Sequence, residues 1–249
     1  MKNKKLSVIV PTYKAEKFIY KNLLKMEEKI AKTFPNFEII AVVDGFVDDS
    51  FKEAKKAENE HIKVIGYEKN QGKGHALKYG FEHSAGEHIT FVDCDMDIDP
   101  EQLSNFVPYL SNADLVIGSK RHPFSLVEYP LIRKILSEGF SLYSRLILGI
   151  SLKDTQTGMK LIKRDVLEVI MPLVMVKKYA FDLELCFLAQ KHGFRFVEAP
   201  IHIKYQFSGS GIGSRSILGM FIDVLAIRYR YTILKYYQKE YWGVNFNGK

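Results

Sequence analysis

An α/β fold with a mainly parallel sheet is predicted by three features of this 249-residue chain. Short β-branched runs alternate with polar, helix-forming stretches of ~10–15 residues, the pattern of βαβ units. Each apolar run stops at a polar cluster, as strand ends facing a ligand crevice do. No internal repeat, low-complexity tract or Pro/Ser-rich linker breaks the sequence. One catalytic domain is therefore expected over 1–207, with a C-terminal loop and helix over 208–249.

Taken in order, Leu6–Pro11 reads as a buried strand, Glu16–Lys32 as a helix and Phe37–Asp44 as a second strand. A short helix follows over Asp48–Glu58, a third strand over Ile62–Tyr67, a helix over Gly74–Ser84 and a fourth strand over Glu87–Asp93. The second half is less regular. Ala113–Arg121 reads as a strand ending in cations, and a helix is expected from about Pro130 to Gly149. The loop Lys153–Lys160 comes next, then a helix over Lys178–His192 and a strand over Phe194–Tyr205. A Gly/Ser loop then leads into a last helix from Arg215 to about Gln238.

Composition narrows the class. The chain is 47% hydrophobic and 26% charged, which excludes a disordered or fibrous protein. Its 2 cysteines exclude a disulfide scaffold and a Cys-based zinc cluster. No run reaches the ~18 apolar residues of a membrane span, and the apolar run after the basic start is too short for a signal peptide. A soluble or peripheral chain in a reducing compartment is expected. The formal net charge of +7 favours polyanionic partners, whether nucleic acid, an anionic membrane or a phosphorylated small molecule.

Asp93-Cys94-Asp95-Met96-Asp97-Ile98-Asp99-Pro100 is the most informative segment. Carboxylates at alternating positions repel one another unless a cation sits among them. All-oxygen donors suit Mg²⁺ or Mn²⁺, shared with a substrate's phosphates. Asp93 and Asp95 leave an apolar strand directly and are the stronger ligand candidates, with Asp97 beside them. Asp99 before Pro100 reads as an ordinary helix N-cap. Cys94 is expected to turn toward the core, since strand alternation separates it from its acidic neighbours.

Lys69-Asn70-Gln71-Gly72-Lys73-Gly74-His75-Ala76 opens a helix. Glycines there admit an anion close to the backbone, and free amides with Lys73 would seat a phosphate. The spacing is not that of a Walker loop. A plain helix-opening turn accounts for the segment equally well when it is taken alone.

Together PTYKAE (Pro11–Glu16), VVDGFVDDS (Val42–Ser50), NQGKGHALKYGF (Asn70–Phe81), Asp93–Asp95, GSKR (Gly118–Arg121) and DTQTGMK (Asp154–Lys160) resemble family 2 glycosyltransferases of the GT-A fold. The likeness is nearest to their dolichyl-phosphate mannose and glucose synthase branch. It implies transfer of a hexose from a GDP- or UDP-sugar to a polyprenyl phosphate, with inversion, at the cytoplasmic face of a membrane. Pro11, Tyr13 and Glu16 would line the base pocket, and Asp44 would contact the nucleoside, with Lys73 in the loop beside it. Asp93 and Asp95 would hold sugar and metal, Asp97 completing the metal site. Lys120 and Arg121, with Arg133, would face phosphate. Asp154, Lys160 and Asp182 would lie on the acceptor side.

The sequence departs from the family pattern at three points. Val43-Asp44 replaces a double Asp, Lys120 with Arg121 stands where one Arg follows Gly-Ser, and Lys14 replaces a common Asn. The chemistry is reasonable all the same. A nucleoside diphosphate leaves readily only when its charge is neutralised. A phosphate monoester, with its second pKa near 6, attacks as an anion and needs no strong base.

The last helix carries two apolar stripes. Leu218, Ile222, Leu225, Tyr229 and Tyr236 form one, and Met220, Val224, Ile227, Tyr231 and Leu234 the other. One face suffices for burial, so the second is expected to meet lipid, a second copy of the chain in a homodimer, or more of the domain. His202 reads as a partly buried strand residue. A family 2 enzyme with a saccharide acceptor is the alternative and would require a firm base, with Asp182 the candidate. A nucleic-acid-binding role is disfavoured, because cations are dispersed and no base-reading motif appears. A nucleotide-sugar sensor would bind donor without turnover.

Overall fold

The computed structural model describes residues 4–128, 131–204 and 214–238, the side chains at 131–133, 204 and 214–216 excepted. The boundary expected at 207/208 and the segment beyond 238 fall outside the described residues. The first half alternates strands and helices as the sequence predicts: β1 (Leu6–Thr12), α1 (Ile19–Ala31), β2 (Phe37–Asp44), α2 (Ser50–Lys55), β3 (Ile62–Tyr67), α3 (Lys73–Glu82) and β4 (His88–Phe91). A 3₁₀ helix covers Pro100–Ser111, before β5 (Leu115–Ser119), β6 (Leu126–Glu128), α4 (Leu131–Leu148) and β7 (Lys160–Lys163). Then come α5 (Arg164–Ile170), α6 (Phe181–Lys191), β8 (Phe196–Pro200), β9 (His202–Lys204), α7 (Ser214–Thr232) and a 3₁₀ turn at Tyr236–Gln238.

The main sheet runs β3-β2-β1-β4-β7-β5-β8. Only β7 is antiparallel, pairing Lys160 with Phe91 on β4 and with Ile117 on β5. All other strands therefore point their carboxyl ends to one edge, and β7 starts there.

Alternation builds two cores from one sheet. Ile9, Ile40, Val42, Ile89 and Phe91 face α3, α5, α6 and α7, whereas Val8, Val10, Ile39, Ala41 and Val43 face α1, α2 and the 3₁₀ helix. In α1, Ile19, Leu23, Met26 and Ile30 are all buried at i, i+4, i+7 and i+11, each burial contributing ~1.5–3 kcal/mol. Gly149 and Gly193, both at positive φ, stop α4 and α6.

Several expectations are revised. The strand foreseen over Phe194–Tyr205 divides after Pro200: β8 pairs with β5, and β9 pairs with β6 in a separate ribbon. The Ile201 amide between them goes to the Ser125 hydroxyl instead of a ladder. Neither the four-residue β7 nor α5 was foreseen. Cys94 is only partly buried, packed beside the α1-side core.

The last helix ends at Thr232, and Lys235 takes φ +48. The i, i+4 pattern therefore stops short. Tyr236 packs on the core and Leu234 is exposed, the reverse of their expected stripes. Within α7, Val224 and Ile227 are fully buried, while Leu218, Ile222, Leu225 and Tyr229 form the exposed stripe.

Candidate active site

The acidic turn sits at the carboxyl end of β4. Met96 adopts φ +58, a strained conformation for a non-glycine residue, and its amide bonds the Asp93 carbonyl at 3.1 Å. From α1, the Asn22 amide donates to the Cys94 carbonyl at 2.9 Å and pins the turn. Asp99 caps the following 3₁₀ helix through the Glu101 amide and pairs with Lys29, so it is the N-cap the sequence indicated.

Lys73 Nζ lies 2.5 Å from Asp93 Oδ1. Burial acts to raise the Asp93 carboxyl, but Lys73, with Lys160 and Lys120 farther off, outweighs it and holds Asp93 below its ordinary range. Burial likewise acts to lower Lys73, and the charges of Asp93, Asp182 and Asp95 overcome it and raise it. Asp95 forms no ion pair among the described residues: burial, then Asp93 and Asp97, outweigh the more distant Lys73 charge and push it up to about 6. The Lys73 ammonium thus serves both Asp93 and Asp95, with Asp97 next to them, a crowding of carboxylates that suits a divalent cation. Among the described residues no three His, Cys, Asp or Glu side chains are grouped so as to hold a metal ion.

Beside the turn, between α1 and the 3₁₀ helix, lies a cleft of about 680 Å³ lined by Asp95, Asp97, Asn22, Lys25, Gln102 and His202, among others. His202 belongs to β9, 105 positions beyond Asp97. Nothing in the local sequence signals that it lines this cleft.

The loop before α3 differs from the anion seat foreseen. The Gln71 and Gly72 amides donate to the two carboxylate oxygens of Asp44, at 2.7 and 2.9 Å. The Gly74 and His75 amides donate to the Lys177 carbonyl. These four donors are spent on the protein itself, so the segment is a built loop that aims Lys73. Asp44 is buried as the cap of that loop.

Tyr13 stands exposed at the end of β1, beside Pro11. Glu16 is exposed and accepts a bond from the Asp49 amide, tying the starts of α1 and α2 together.

Asp154 is 1% exposed. It accepts bonds from the Lys120 amide, the Thr157 hydroxyl and the Gln156 amide, and pairs with Lys120 Nζ at 3.1 Å. Arg121 approaches it at 3.9 Å and also donates to the Ser137 carbonyl on α4. Burial lowers Lys120, although Asp154 opposes it. Gly158 lets the same loop lie against Asp93: a Cβ there would come within 2.4 Å of Asp93 Oδ2.

Lys160 is 0% and Asp182 4% exposed, joined at 2.6 Å beneath this edge, with Lys160 also donating to the Thr157 carbonyl. Lys160 and Asp182, both expected on the acceptor side, are thus brought together as one buried pair. Arg133 belongs to the first turn of α4, but its side chain lies outside the described residues.

The glycosyl transferase family 2 model matches residues 7–171. The dolichyl-phosphate beta-glucosyltransferase of Homo sapiens is 32% identical, over 92% of this chain and 76% of its own length. The undecaprenyl-phosphate mannosyltransferase of Micrococcus luteus is 29% identical, over 85% and 88%. Among solved structures, glucosyl-3-phosphoglycerate synthase from Mycobacterium tuberculosis, in complex with Mn²⁺, uridine diphosphate and phosphoglyceric acid, superposes with a TM-score of 0.69. It is 15% identical and covers 91% of this chain and 78% of that one, which speaks to the fold. With the acidic turn, the cationic loop and the sheet edge that joins them, these likenesses show that the chain belongs to glycosyl transferase family 2 and is a glycosyltransferase of the GT-A fold.

Proposed function

We propose that the enzyme transfers a hexose from a nucleoside-diphosphate sugar to a polyprenyl phosphate at a membrane surface, with inversion. The observation that carries this reading is the condition of the two acceptor-side carboxylates. Asp154 and Asp182 are buried in ion pairs with Lys120 and Lys160. A sugar hydroxyl needs a base to take its proton, whereas a phosphate monoester arrives already ionised. Two spent carboxylates beside two cations, Lys120 and Arg121, suit the phosphate and disfavour the saccharide alternative. The names of the relatives point to the same class of acceptor.

Asp93, Asp95 and Asp97 would hold Mg²⁺ or Mn²⁺, which when bound supplies positive charge to the departing diphosphate. Lys73 keeps Asp93 ionised and in place. Asp154 holds the Lys120–Arg121 segment so that its cations face the phosphates, and Tyr13 offers a ring to the base.

Membrane attachment has support in the exposed apolar stripes. Ile135, Leu142 and Leu146 on α4, and Leu218, Ile222, Leu225 and Tyr229 on α7, are all exposed on two helices that pack together. Among the described residues no helix is long and apolar enough to cross a membrane. Docking through these stripes, on the cytoplasmic face, places the helix tied to Arg121 next to a lipid-borne phosphate. A homodimer through the same face is the competing use of it.

The test is a radiolabelled-donor screen, UDP-glucose and GDP-mannose first, with prenyl phosphate in vesicles and with Mn²⁺ or a chelator. Label entering the organic phase only with the cation is expected. Label appearing only on added saccharides overturns the reading. Ile222→Glu is expected to weaken vesicle co-sedimentation; unchanged sedimentation removes the membrane assignment.

A further inference from the structure

Glu184 has no place in the chemistry described so far, yet it is 0% exposed and fully committed. It lies on α6, one turn after Phe181. One carboxylate oxygen accepts the backbone amides of Met175 and Val176, at 2.8 and 2.6 Å. The other accepts Arg230 Nη1 at 2.5 Å and the Tyr237 hydroxyl. Arg230 lies in the last turn of α7, and Tyr237 sits in the 3₁₀ turn that follows the reversal at Lys235. A single carboxylate therefore joins the C-terminal helix to the strap between α5 and α6.

The strap continues into the active site. Next to Val176, the Lys177 carbonyl accepts the Gly74 and His75 amides at the start of α3, at 2.8 and 3.4 Å. The contact is close enough that a Cβ on Gly72 would come within 2.4 Å of the Lys177 carbonyl oxygen. On its other side α3 rests on Phe181, 2.7 Å from a Cβ built on Gly74. Lys73, whose ammonium meets Asp93, lies between these two glycines. The chain of contact runs Arg230 and Tyr237, Glu184, Met175–Lys177, Gly74, Lys73, Asp93, with a hydrogen bond, an ion pair or a peptide link at each step.

We infer that Glu184 is a positioning residue, which carries the seating of the C-terminal helix through the 175–177 strap to Lys73 and thereby sets the ammonium against Asp93. The inference rests on the proposed transferase reading, in which Lys73 and Asp93 belong to the reacting site. Four donors converge on two oxygens, so charge and shape are both required. An amide in the same place has one acceptor, and its NH₂ meets either the strap or the Arg230–Tyr237 side.

The test is a double-mutant cycle on the full chain, Glu184→Gln with Lys73→Met, using a soluble short-chain prenyl phosphate so that membrane docking does not enter. A fall of about tenfold to a hundredfold in kcat/KM for Glu184→Gln alone is expected, the scale of a small misplacement of a reacting group. In the Lys73→Met background the same change is expected to add little, since the group it positions is gone. A general packing role would instead multiply the two losses, and that outcome overturns the inference, as does unchanged turnover in Glu184→Gln.

Amide exchange supplies the second arm. Gly74 and His75 are expected to exchange faster in Glu184→Gln while strands β1 and β2 keep their protection. Equal protection at Gly74 and His75 refutes the link. Tyr237→Phe, which removes one donor, reads the same chain if Glu184→Gln fails to fold. Exchange needs no turnover, so an enzyme inert toward prenyl phosphate sinks the functional reading while this link is still judged on its own.

Discussion

Replacing Asp154 by Asn separates the electrostatic part of the cationic loop from its shape. One Asp154 oxygen takes the Lys120 amide at 2.9 Å and the Thr157 hydroxyl at 2.8 Å, and the other takes the Gln156 amide at 3.1 Å. Asn keeps one acceptor, so at least one buried donor loses its partner, at about 1–3 kcal/mol. Lys120 also loses its counter-charge. A fully buried orphan charge costs about 3–5 kcal/mol, but the Lys120 side chain keeps 15% exposure and can lean toward water, so the lower part of that range applies. A combined loss of about 4–6 kcal/mol corresponds to a drop of ~8–24 °C in Tm for a chain of this length.

The pH dependence has a definite sign. Burial acts to raise the Asp154 carboxyl, but Lys120 and the loop donors bring it below its ordinary value. A depressed folded value means the carboxylate stabilises above its unfolded value and ceases to as pH falls through the folded one. The Tm gap between parent and Asp154→Asn is therefore expected to be widest near neutrality and to close at low pH. Calorimetric melts from pH 7 down to pH 3, with turnover measured at pH 7, check both statements. A gap under about 1 °C at pH 7, with turnover intact, refutes the assignment of Asp154 as the anchor of Lys120 and Arg121.

Further outcomes follow from the same contacts. Lys160→Met leaves Asp182 buried and uncompensated and is expected to cost about 3–5 kcal/mol in a urea melt, with part recovered by adding Asp182→Leu. Gly158→Ala puts a methyl where Asp93 Oδ2 now lies, so turnover is expected to fall more than tenfold while Tm moves by only a few degrees. At Asp114, burial acts upward, but bonds from Lys163 and Arg195 bring the carboxyl down to about 2. Against its ordinary value, at ~1.36 kcal/mol per pH unit, that is worth about 2 kcal/mol. Asp114→Asn is expected to lose this at pH 7, with the difference fading as pH falls from 4 toward 2, read by melts across that range.

The legible parts of the molecule were those written locally. Leu6–Val10 and Phe37–Val43 declare themselves because strands buried on both faces read as continuous apolar runs. Asp99-Pro100 and the acidic turn before it declare themselves because capping and charge crowding act within a few residues. The hidden parts depend on distant partners. The amides of the first turn of α3 read as open in the sequence because their acceptor, the Lys177 carbonyl, lies 103 positions after Gly74. Lys160 looked like a phosphate ligand because its partner Asp182, on α6, cannot be seen from the strand. α7 offered two equivalent stripes, and only its packing against α4 and the core decides which one faces outward.

Asp44, Asp154, Lys160 and Asp182 share one condition. They have the residue types that bind substrate, and all four also hold loops or one another. An edge that gathers the ends of several strands collects more charge than a ligand can use at once, and each surplus group must be paired or it destabilises the fold. Pairing fixes geometry as well as cost: Asp44 sets the loop that aims Lys73, and Asp154 the loop that carries Lys120 and Arg121. On the proposed reading the chemistry is left to the carboxylates gathered at the acidic turn, Asp93, Asp95 and Asp97, next to the Lys73 ammonium. The crowding of carboxylates at one strand end is, on that proposal, a better guide to the reacting centre than residue type alone.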